Sequence, residues 1–119
     1  MQKMNKIGAQ GDVVFLRVGK LPENIKPHAI ESGKYIVAHS ETGHHHVIEA
    51  SETVRFYTTD DPLVSYLEVI EATEEAETVL EHLRSYHTHE AWCFGPGIYE
   101  FRRQKEASSR PEGWQVARD

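Results

Sequence analysis

The segment Lys34–Ala50, KYIVAHSETGHHHVIEA, is the stretch that most constrains the fold. Its two ends, KYIVAHS and HHHVIEA, carry the β-branched and aromatic residues that favour strands. The sequence SETG between them is typical of a tight turn, and Gly43 supplies the positive φ that such turns often need. The segment therefore predicts a β-hairpin, with histidines gathered at its turn end.

These histidines divide between two faces of the predicted hairpin. Side chains alternate along a strand, so His44 and His46 share one face while His45 takes the other. His39 lies across the turn and joins the pair only in a register that brings it to the same face. The run of histidines is therefore predicted to act as a pair, with His39 as a candidate third member.

The rest of the chain has mainly strand character. Five further segments are predicted as strands by their composition and by the turn residues around them: GDVVFLRVG (11–19), TVRFYTT (53–59), LVSYLEVIE (63–71), THEAWCF (88–94) and GIYEFRRQ (97–104). Together with the hairpin they give about seven strands. Such a pattern predicts a mainly β protein, built as a small barrel or sandwich.

One segment has a different periodicity. Between residues 71 and 87 the apolar residues have helical spacing, at Ala72, Ala76, Val79, Leu80 and Leu83. Thr73 is a suitable N-cap, and glutamates follow it at the positive end of the helix dipole. The spacing predicts one helix over residues 74–85, which makes His82 a surface residue of that helix.

The domain organisation is expected to be simple. A length of 119 residues favours one domain, predicted over residues 1–105. Residues 1–9 resemble a loose leader, and residues 106–119 a polar C-terminal tail. The N-terminal segment lacks the apolar run of a signal peptide, and no apolar run approaches the length of a membrane span.

Charge and cysteine content exclude some classes of partner. The net charge of −6 and the pI near 5.7 argue against broad binding to nucleic acid or to anionic membranes. Cys93 is the one cysteine, so no disulfide can form within the chain. These features predict a soluble cytoplasmic protein. Cys93 itself, between Trp92 and Phe94, is expected in the core.

The histidines predict a metal centre. The spacing H-x-H at His44 and His46 recurs at His87 and His89, so two strands each offer a pair of imidazoles. Imidazole suits divalent transition metals, and zinc, iron, manganese and nickel are the candidates here. His39 is a further candidate ligand. The alternatives are that these histidines make ordinary hydrogen bonds at exposed strand ends, or form a pH-sensitive or non-metal site.

Other residues have candidate roles beside the metal. Glu90 is a candidate fourth ligand or catalytic acid/base group. Asp12 heads the first predicted strand, where it either accepts a hydrogen bond from an imidazole or caps a turn. Arg103 and Tyr99 are candidates for binding a small ligand, since a guanidinium binds carboxylate or phosphate. Tyr99 also fits the core, together with Phe101 on the same face.

The sequence GHHHVIE resembles the first motif of the cupins, in which an H-x-H strand is followed by a glutamate. The resemblance implies a small β-barrel with His44 and His46 as metal ligands facing inward and Glu49 as the nearest acidic candidate. In cupins the second histidine follows a P-x-G turn, whereas here His87 and His89 precede the sequence GPG.

A second resemblance covers most of the chain. The order QGDV, GHHHVI, THE and GPGIYEFRRQKE is similar to that of a group of small, functionally uncharacterised bacterial and prophage-type proteins. The matching residues are Gln10, Gly11, Asp12, Gly43, His44, His46, His89, Gly97, Tyr99, Arg103 and Gln104. The resemblance implies that His44, His46 and His89 matter more than His45 or His87. It implies no particular activity, and residues 74–85 are extra relative to the shortest members.

Three hypotheses follow. The first is a small cupin-like metal protein, and the sequence does not decide whether it is an enzyme acting on a small substrate. The second is a non-catalytic accessory protein of a phage or mobile element, which binds a small ligand or a protein partner. The third is a self-associating protein, a homo-oligomer in which the exposed hairpin pairs with another chain.

Overall fold

The protein is built from two β-sheets. A computed structural model describes residues 2–38, 45–70, 78–82 and 91–104. These ranges contain eleven strands: β1 Gln2–Lys3, β2 Ile7–Gln10, β3 Val13–Val18, β4 Lys26–Pro27, β5 Lys34–Ala38, β6 His46–Glu49, β7 Val54–Thr58, β8 Val64–Val69, β9 Thr78–His82, β10 Trp92–Phe94 and β11 Gly97–Arg103. All seven predicted strands are present, and the mainly β prediction is confirmed.

In each sheet, a strand from the start of the chain lies beside a strand from its end. The first sheet has the order β1-β10-β9-β6-β5, and the second has the order β2-β3-β11-β8-β7-β4. Neighbours pair antiparallel except β1 and β10, which are parallel. Across the described ranges neither sheet closes on itself, so of the two predicted forms the open two-sheet form is observed and the closed barrel is not.

Aromatic side chains from both sheets meet between them. Phe94 of the first sheet lies 4.9 Å from Tyr99 and 5.1 Å from Phe15 of the second, measured between ring centroids. Tyr35 and Phe56 make a similar contact across the sheets at 5.7 Å. The core therefore lies between the sheets. Strand alternation directs these residues inward, since one face of each strand is apolar.

The predicted hairpin forms as β5 and β6. Tyr35 pairs with Ile48 and Ala38 pairs with His46, with a register shift between Ile36 and Ala38. Antiparallel pairing with this register turns Tyr35 and Ile48 into the core. The turn itself, residues 39–44, lies outside the described residues.

The helix predicted over residues 74–85 is wrong where the structure describes it. Thr78–His82 form β9, which pairs with β6 on one side and β10 on the other. Thr78 and Leu80 are buried, with Leu80 in the core, so the buried positions alternate. Pairing on both edges and burial of Leu80 outweigh the helical spacing. The remaining residues of the prediction lie outside the described ranges. No helix able to cross a membrane was found among the residues searched.

The loose leader predicted for residues 1–9 is also wrong. β1 and β2 belong to different sheets, and between them Met4 is buried in the core. Backbone hydrogen bonds from Gln2 to Ala91 and from Met4 to Cys93 hold β1 against β10. Polar and charged residues occupy four of the first six positions, which hides the strand character of β1 from composition. The predicted tail, residues 106–119, lies outside the described residues.

Candidate functional site

His46 is a buried polar residue at the inner end of the hairpin. It begins β6 and is 4% exposed. Ile48, two residues later on the same strand, lies in the core. Because alternate residues share a face, His46 lies on the inner face of the first sheet. Burial of an imidazole is costly unless its nitrogens have partners.

Gln10 supplies one partner and fixes the orientation of the ring. Gln10 ends β2 and is 3% exposed. Its Nε2 donates to the backbone carbonyl of Leu80 at 3.0 Å, and its Oε1 lies 2.8 Å from Nδ1 of His46. Since the Leu80 carbonyl can only accept, the amide must present its oxygen to the imidazole. Nδ1 of His46 therefore carries the hydrogen, and in the neutral ring Nε2 carries the lone pair.

Asp12 stands on the Nε2 side of the ring. The turn between β2 and β3 passes through Gly11, whose φ of 60° favours glycine. This turn places Oδ1 of Asp12 3.6 Å from Nε2 of His46. That separation is too long for a hydrogen bond. The Asp12 side chain is 49% exposed, so the pair lies where the core opens to solvent.

The two atoms lie 3.6 Å apart, which is an ion-pair distance when His46 is protonated and is also close to the separation of two ligands on one ion. Zinc takes imidazole nitrogen and carboxylate oxygen at about 2.0–2.2 Å. Two such bonds at the tetrahedral angle of about 110° place the ligand atoms about 3.4 Å apart. A histidine that binds metal also commonly donates its other N–H to a fixed acceptor, the role that Gln10 has towards His46.

Most of the predicted metal ligands lie outside the described residues. These are His39, His44 and His89, together with Glu90 and His87. Among the residues that can be assessed, no three His, Cys, Asp or Glu side chains form a group able to hold a metal. The described part of the candidate site is therefore the pair His46 and Asp12, with the His46 ring held by Gln10.

One residue near the site was assigned elsewhere by sequence reasoning. His82 was expected on the surface of a helix, but its backbone is the last position of β9. There it is paired directly with His46 across the antiparallel ladder. The assignment missed this because the helical spacing hid the strand. Alternation of Thr78 and Leu80 was the available signal, and it is too short to outweigh the longer helical pattern.

The match to a family model extends through this site and both sheets. The model, described as a domain of unknown function, matches residues 9–104. The chain belongs to the DUF8820 family. The matched range includes Gln10, Asp12, His46 and His82. No curated protein and no solved structure matched the chain in the two other comparisons.

The two candidate ligand-binding residues of this DUF8820 chain lie in different surroundings. Tyr99 is fully buried, its hydroxyl donates to the Gly95 carbonyl at 2.8 Å, and its core assignment is confirmed. Arg103 is only partly buried and lines a pocket of about 70 Å³. The polar residues around this pocket are His28, Thr58, Thr59, Asp61, Ser65 and Arg103. A ligand contact therefore remains a prediction for Arg103, whereas the buried Tyr99 has a structural role.

Cys93 and Asp12 differ in part from their predicted surroundings. Cys93 was expected in the core, but it is partly exposed, and its neighbour Phe94 is the buried residue of β10. Asp12 was expected to accept a hydrogen bond from an imidazole or to cap a turn. Its Oδ1 lies 3.6 Å from Nε2 of the His46 imidazole, which is beyond hydrogen-bond distance.

Proposed function

We propose that this chain binds one divalent transition metal at the inner end of β6, with His46 and Asp12 as ligands. The observation that carries the proposal is the 3.6 Å separation of Nε2 of His46 from Oδ1 of Asp12. It is supported by Gln10, which holds the hydrogen on Nδ1 and leaves Nε2 as the ligand atom. The pair lies at the edge of the core, since the side chain of His46 is 5% exposed and that of Asp12 is 49% exposed.

The remaining ligands are proposed from the sequence. His44 and His89 are the first candidates, and His39 is a further one. A set of imidazoles with one carboxylate suits zinc, iron, manganese or nickel. In an enzymatic form of the proposal, a metal held by these residues would supply a Lewis acid or oxygen-binding centre for a small substrate. Glu90 is then the proposed proton donor or acceptor.

The wider proposal places this protein with cupin-like metal proteins. Cupin-like binding puts the metal inside β structure, which agrees with the burial of His46 between two sheets. We further propose that the protein is related to prophage-type proteins and that it is cytoplasmic. We also propose that it self-associates through the hairpin. None of them is needed for the metal site itself.

Elemental analysis tests the proposal. The full chain, purified without a histidine tag and without nickel resin, is expected to carry about one transition metal ion per chain. His46→Ala and Asp12→Asn are each expected to lower the bound metal, because each removes a donor atom. His45→Ala is the matched control, since it removes the neighbouring imidazole, which alternation directs away from His46.

Two results would contradict the proposed metal site. A protein without metal, whose thermal stability does not respond to added zinc, iron or manganese, contradicts the proposal, because a ligand that binds the folded state must stabilise it. Equal metal content in the His46→Ala and His45→Ala variants contradicts the assignment of His46.

The pocket at Arg103 favours a second candidate function. A non-catalytic module that binds a small polar ligand is compatible with the Arg103 guanidinium, the Asp61 carboxylate and several hydroxyl groups around a volume of about 70 Å³. That size admits a ligand of a few non-hydrogen atoms whose acidic group faces Arg103. Absence of metal in the elemental analysis would leave this as the better-supported function.

A further inference from the structure

The outer face of the second sheet is more apolar than an exposed sheet face usually is. Along β3, Val13 and Phe15 are fully buried on the inner face. The alternate residues of β3 therefore project outward, and all three are aliphatic and partly exposed: Val14, Leu16 and Val18. An antiparallel strand with one face towards water usually has polar residues there. Aliphatic residues on both faces are instead typical of a strand that is covered on both sides.

Residues of the neighbouring strands extend this surface on both sides of β3. Ile7 of β2 is paired with Leu16, and Ile98 of β11 is paired with Val18. Directly opposed residues of adjacent strands share a face of the sheet. Ile7 is 68% exposed, although its neighbours are apolar. These side chains form a continuous surface, the β3 patch, whose members are Ile7, Ala9, Val14, Leu16, Val18 and Ile98.

The charges beside the β3 patch balance one another. Arg102 donates to Glu100 at 2.6 Å, and Arg55 is paired with Glu68 across β7 and β8. These two acids and two bases leave the outer face of β2, β3, β11, β8 and β7 without net charge, whereas the chain carries −6. Such a face does not select a strongly charged partner. It is also a part of the surface where two copies of an acidic chain meet without like charges opposed.

We infer that a second copy of this chain packs on the outer face of the second sheet, with the β3 patch as the apolar part of the contact. The described strands all belong to two sheets with the core between them, so no described strand covers this outer face. The contact is distinct from self-association through the hairpin, because β5 and β6 belong to the first sheet. It does not depend on a bound metal.

The size of the face suits a weak dimer. The strands β2, β3, β11, β8 and β7 cover about 450 Å² in projection, given about 4.8 Å between strands and about 3.4 Å per residue. Because side chains add to the flat area, two such faces bury about 1,000 Å² in total, the lower limit for a specific interface. The dimer is therefore expected to dissociate at micromolar rather than nanomolar concentrations.

Sedimentation equilibrium of the full, untagged chain tests the inference over a concentration range from about 1 μM to about 1 mM. The wild type is expected to become dimeric within this range. Ile7→Glu is expected to weaken the dimer at least about tenfold, because it places an unpaired charge in an apolar contact. Ile30→Glu is the matched control with the same change of charge. Ile30 is 55% exposed and lies between β4 and β5, outside the second sheet, so its variant should dimerise like the wild type.

Three results overturn the inference. One is a dimer that Ile7→Glu leaves unchanged, and another is a dimer that Ile7→Glu and Ile30→Glu weaken equally. The third is a wild type that stays monomeric at every concentration, whether residues 105–119 of the same chain, a neutral lipid surface or another protein then proves to cover the face. The metal content of the protein is measured separately, so these results leave the proposed metal site standing.

Nuclear magnetic resonance of a mixed sample locates the contact without any substitution. Chains with labelled methyl groups are mixed with unlabelled chains, so that only contacts between copies are recorded. Such contacts are expected at the methyl groups of Val14, Leu16 and Ile98, and none are expected at Ile30. Contacts between copies that are confined to the hairpin β5–β6 overturn the inference.

Discussion

At the scale of the residue, Gln10 determines which ring nitrogen of His46 carries the hydrogen. Its amide cannot be reversed without setting two oxygens against each other at the Leu80 carbonyl. The hydrogen of His46 is therefore held on Nδ1, and Nε2 faces Asp12. In the motif QGD, Gln10 thus positions the His46 ring, and Asp12, on the other side of Gly11, is a candidate ligand.

Gln10→Ala is expected to destabilise the fold by about 1–3 kcal/mol, because two buried polar partners lose their hydrogen bonds. Chemical denaturation measures this change in the free energy of unfolding. Gln2→Ala is the matched control, since Gln2 is exposed and its loss should have little effect. Equal stability of the two variants would contradict the importance of the Gln10 contacts.

Sequence analysis reached part of this site. Alternation along the hairpin distinguished His46, which is buried, from His45, which is only partly buried, since that rule depends only on neighbouring positions. It assigned no role to Gln10, because the partner of Gln10 lies 36 residues away along the chain. Contacts over such distances follow from the pairing of sheets, which local patterns do not specify.

At the scale of the element, the N-terminal strand β2 is fixed by close packing at Gly8. A Cβ atom at this position would lie 2.5 Å from Phe15 and 2.7 Å from Trp92, both ring atoms. Phe15 is fully buried and contacts Trp92 edge-to-face, so neither ring can move freely. Position 8 therefore requires glycine, because two aromatic rings, one from each sheet, occupy the space that a Cβ atom would need.

Gly8→Ala is expected to destabilise the protein by about 1–3 kcal/mol, the usual cost of overpacking a core. Gly19→Ala is the matched control, because a Cβ atom there meets nothing within 4 Å. Thermal unfolding of both variants measures the difference. A Gly8→Ala variant as stable as Gly19→Ala would show that β2 is not held in this way.

The errors at this scale share one cause. The segment 1–9 and the strand β9 were both assigned from local composition or spacing, as a leader and as a helix. Leu80 fits a helical face and also the inner face of a strand, and its burial against the second sheet decides between them. Long strands such as β11 were predicted well, because seven residues give a clear alternation.

At the scale of the whole molecule, the outer face of the second sheet carries a charged network. Tyr66 and Glu100 are paired across β8 and β11, and the tyrosine hydroxyl donates to the carboxylate at 2.5 Å. Arg102 donates to the other carboxylate oxygen at 2.6 Å. Burial would raise the pKa of Glu100, but these hydrogen bonds and the charge of Arg102 lower it.

The pKa of Tyr66, in contrast to that of Glu100, is raised. Burial, the hydrogen bond to Glu100 and the charge of that carboxylate raise it from 10.0 to about 12. Because the folded-state pKa exceeds the unfolded one, neutral Tyr66 stabilises the fold below pH 10, and this contribution is lost between pH 10 and about 12. Glu100 has the opposite sign, so its contribution is lost as the pH falls below its ordinary pKa of 4.5.

Titration of phenolate absorbance checks the alkaline limb. The difference between the wild type and Tyr66→Phe is expected to titrate near pH 12, well above the ordinary value of 10.0. Glu100→Gln should move that titration back towards the ordinary value, because it removes the neighbouring charge. A difference curve centred near the ordinary value would contradict the network.

The place of β11 has a consequence for how the chain folds. This last described strand lies in the middle of the second sheet, between β3 near the start of the chain and β8. During synthesis, β3 and β8 can therefore pair with β11 only after residues 97–103 have been made. Such long-range pairing slows folding and leaves unpaired edges exposed meanwhile. The sheet is completed from its centre by the segment that leaves the ribosome last among those described.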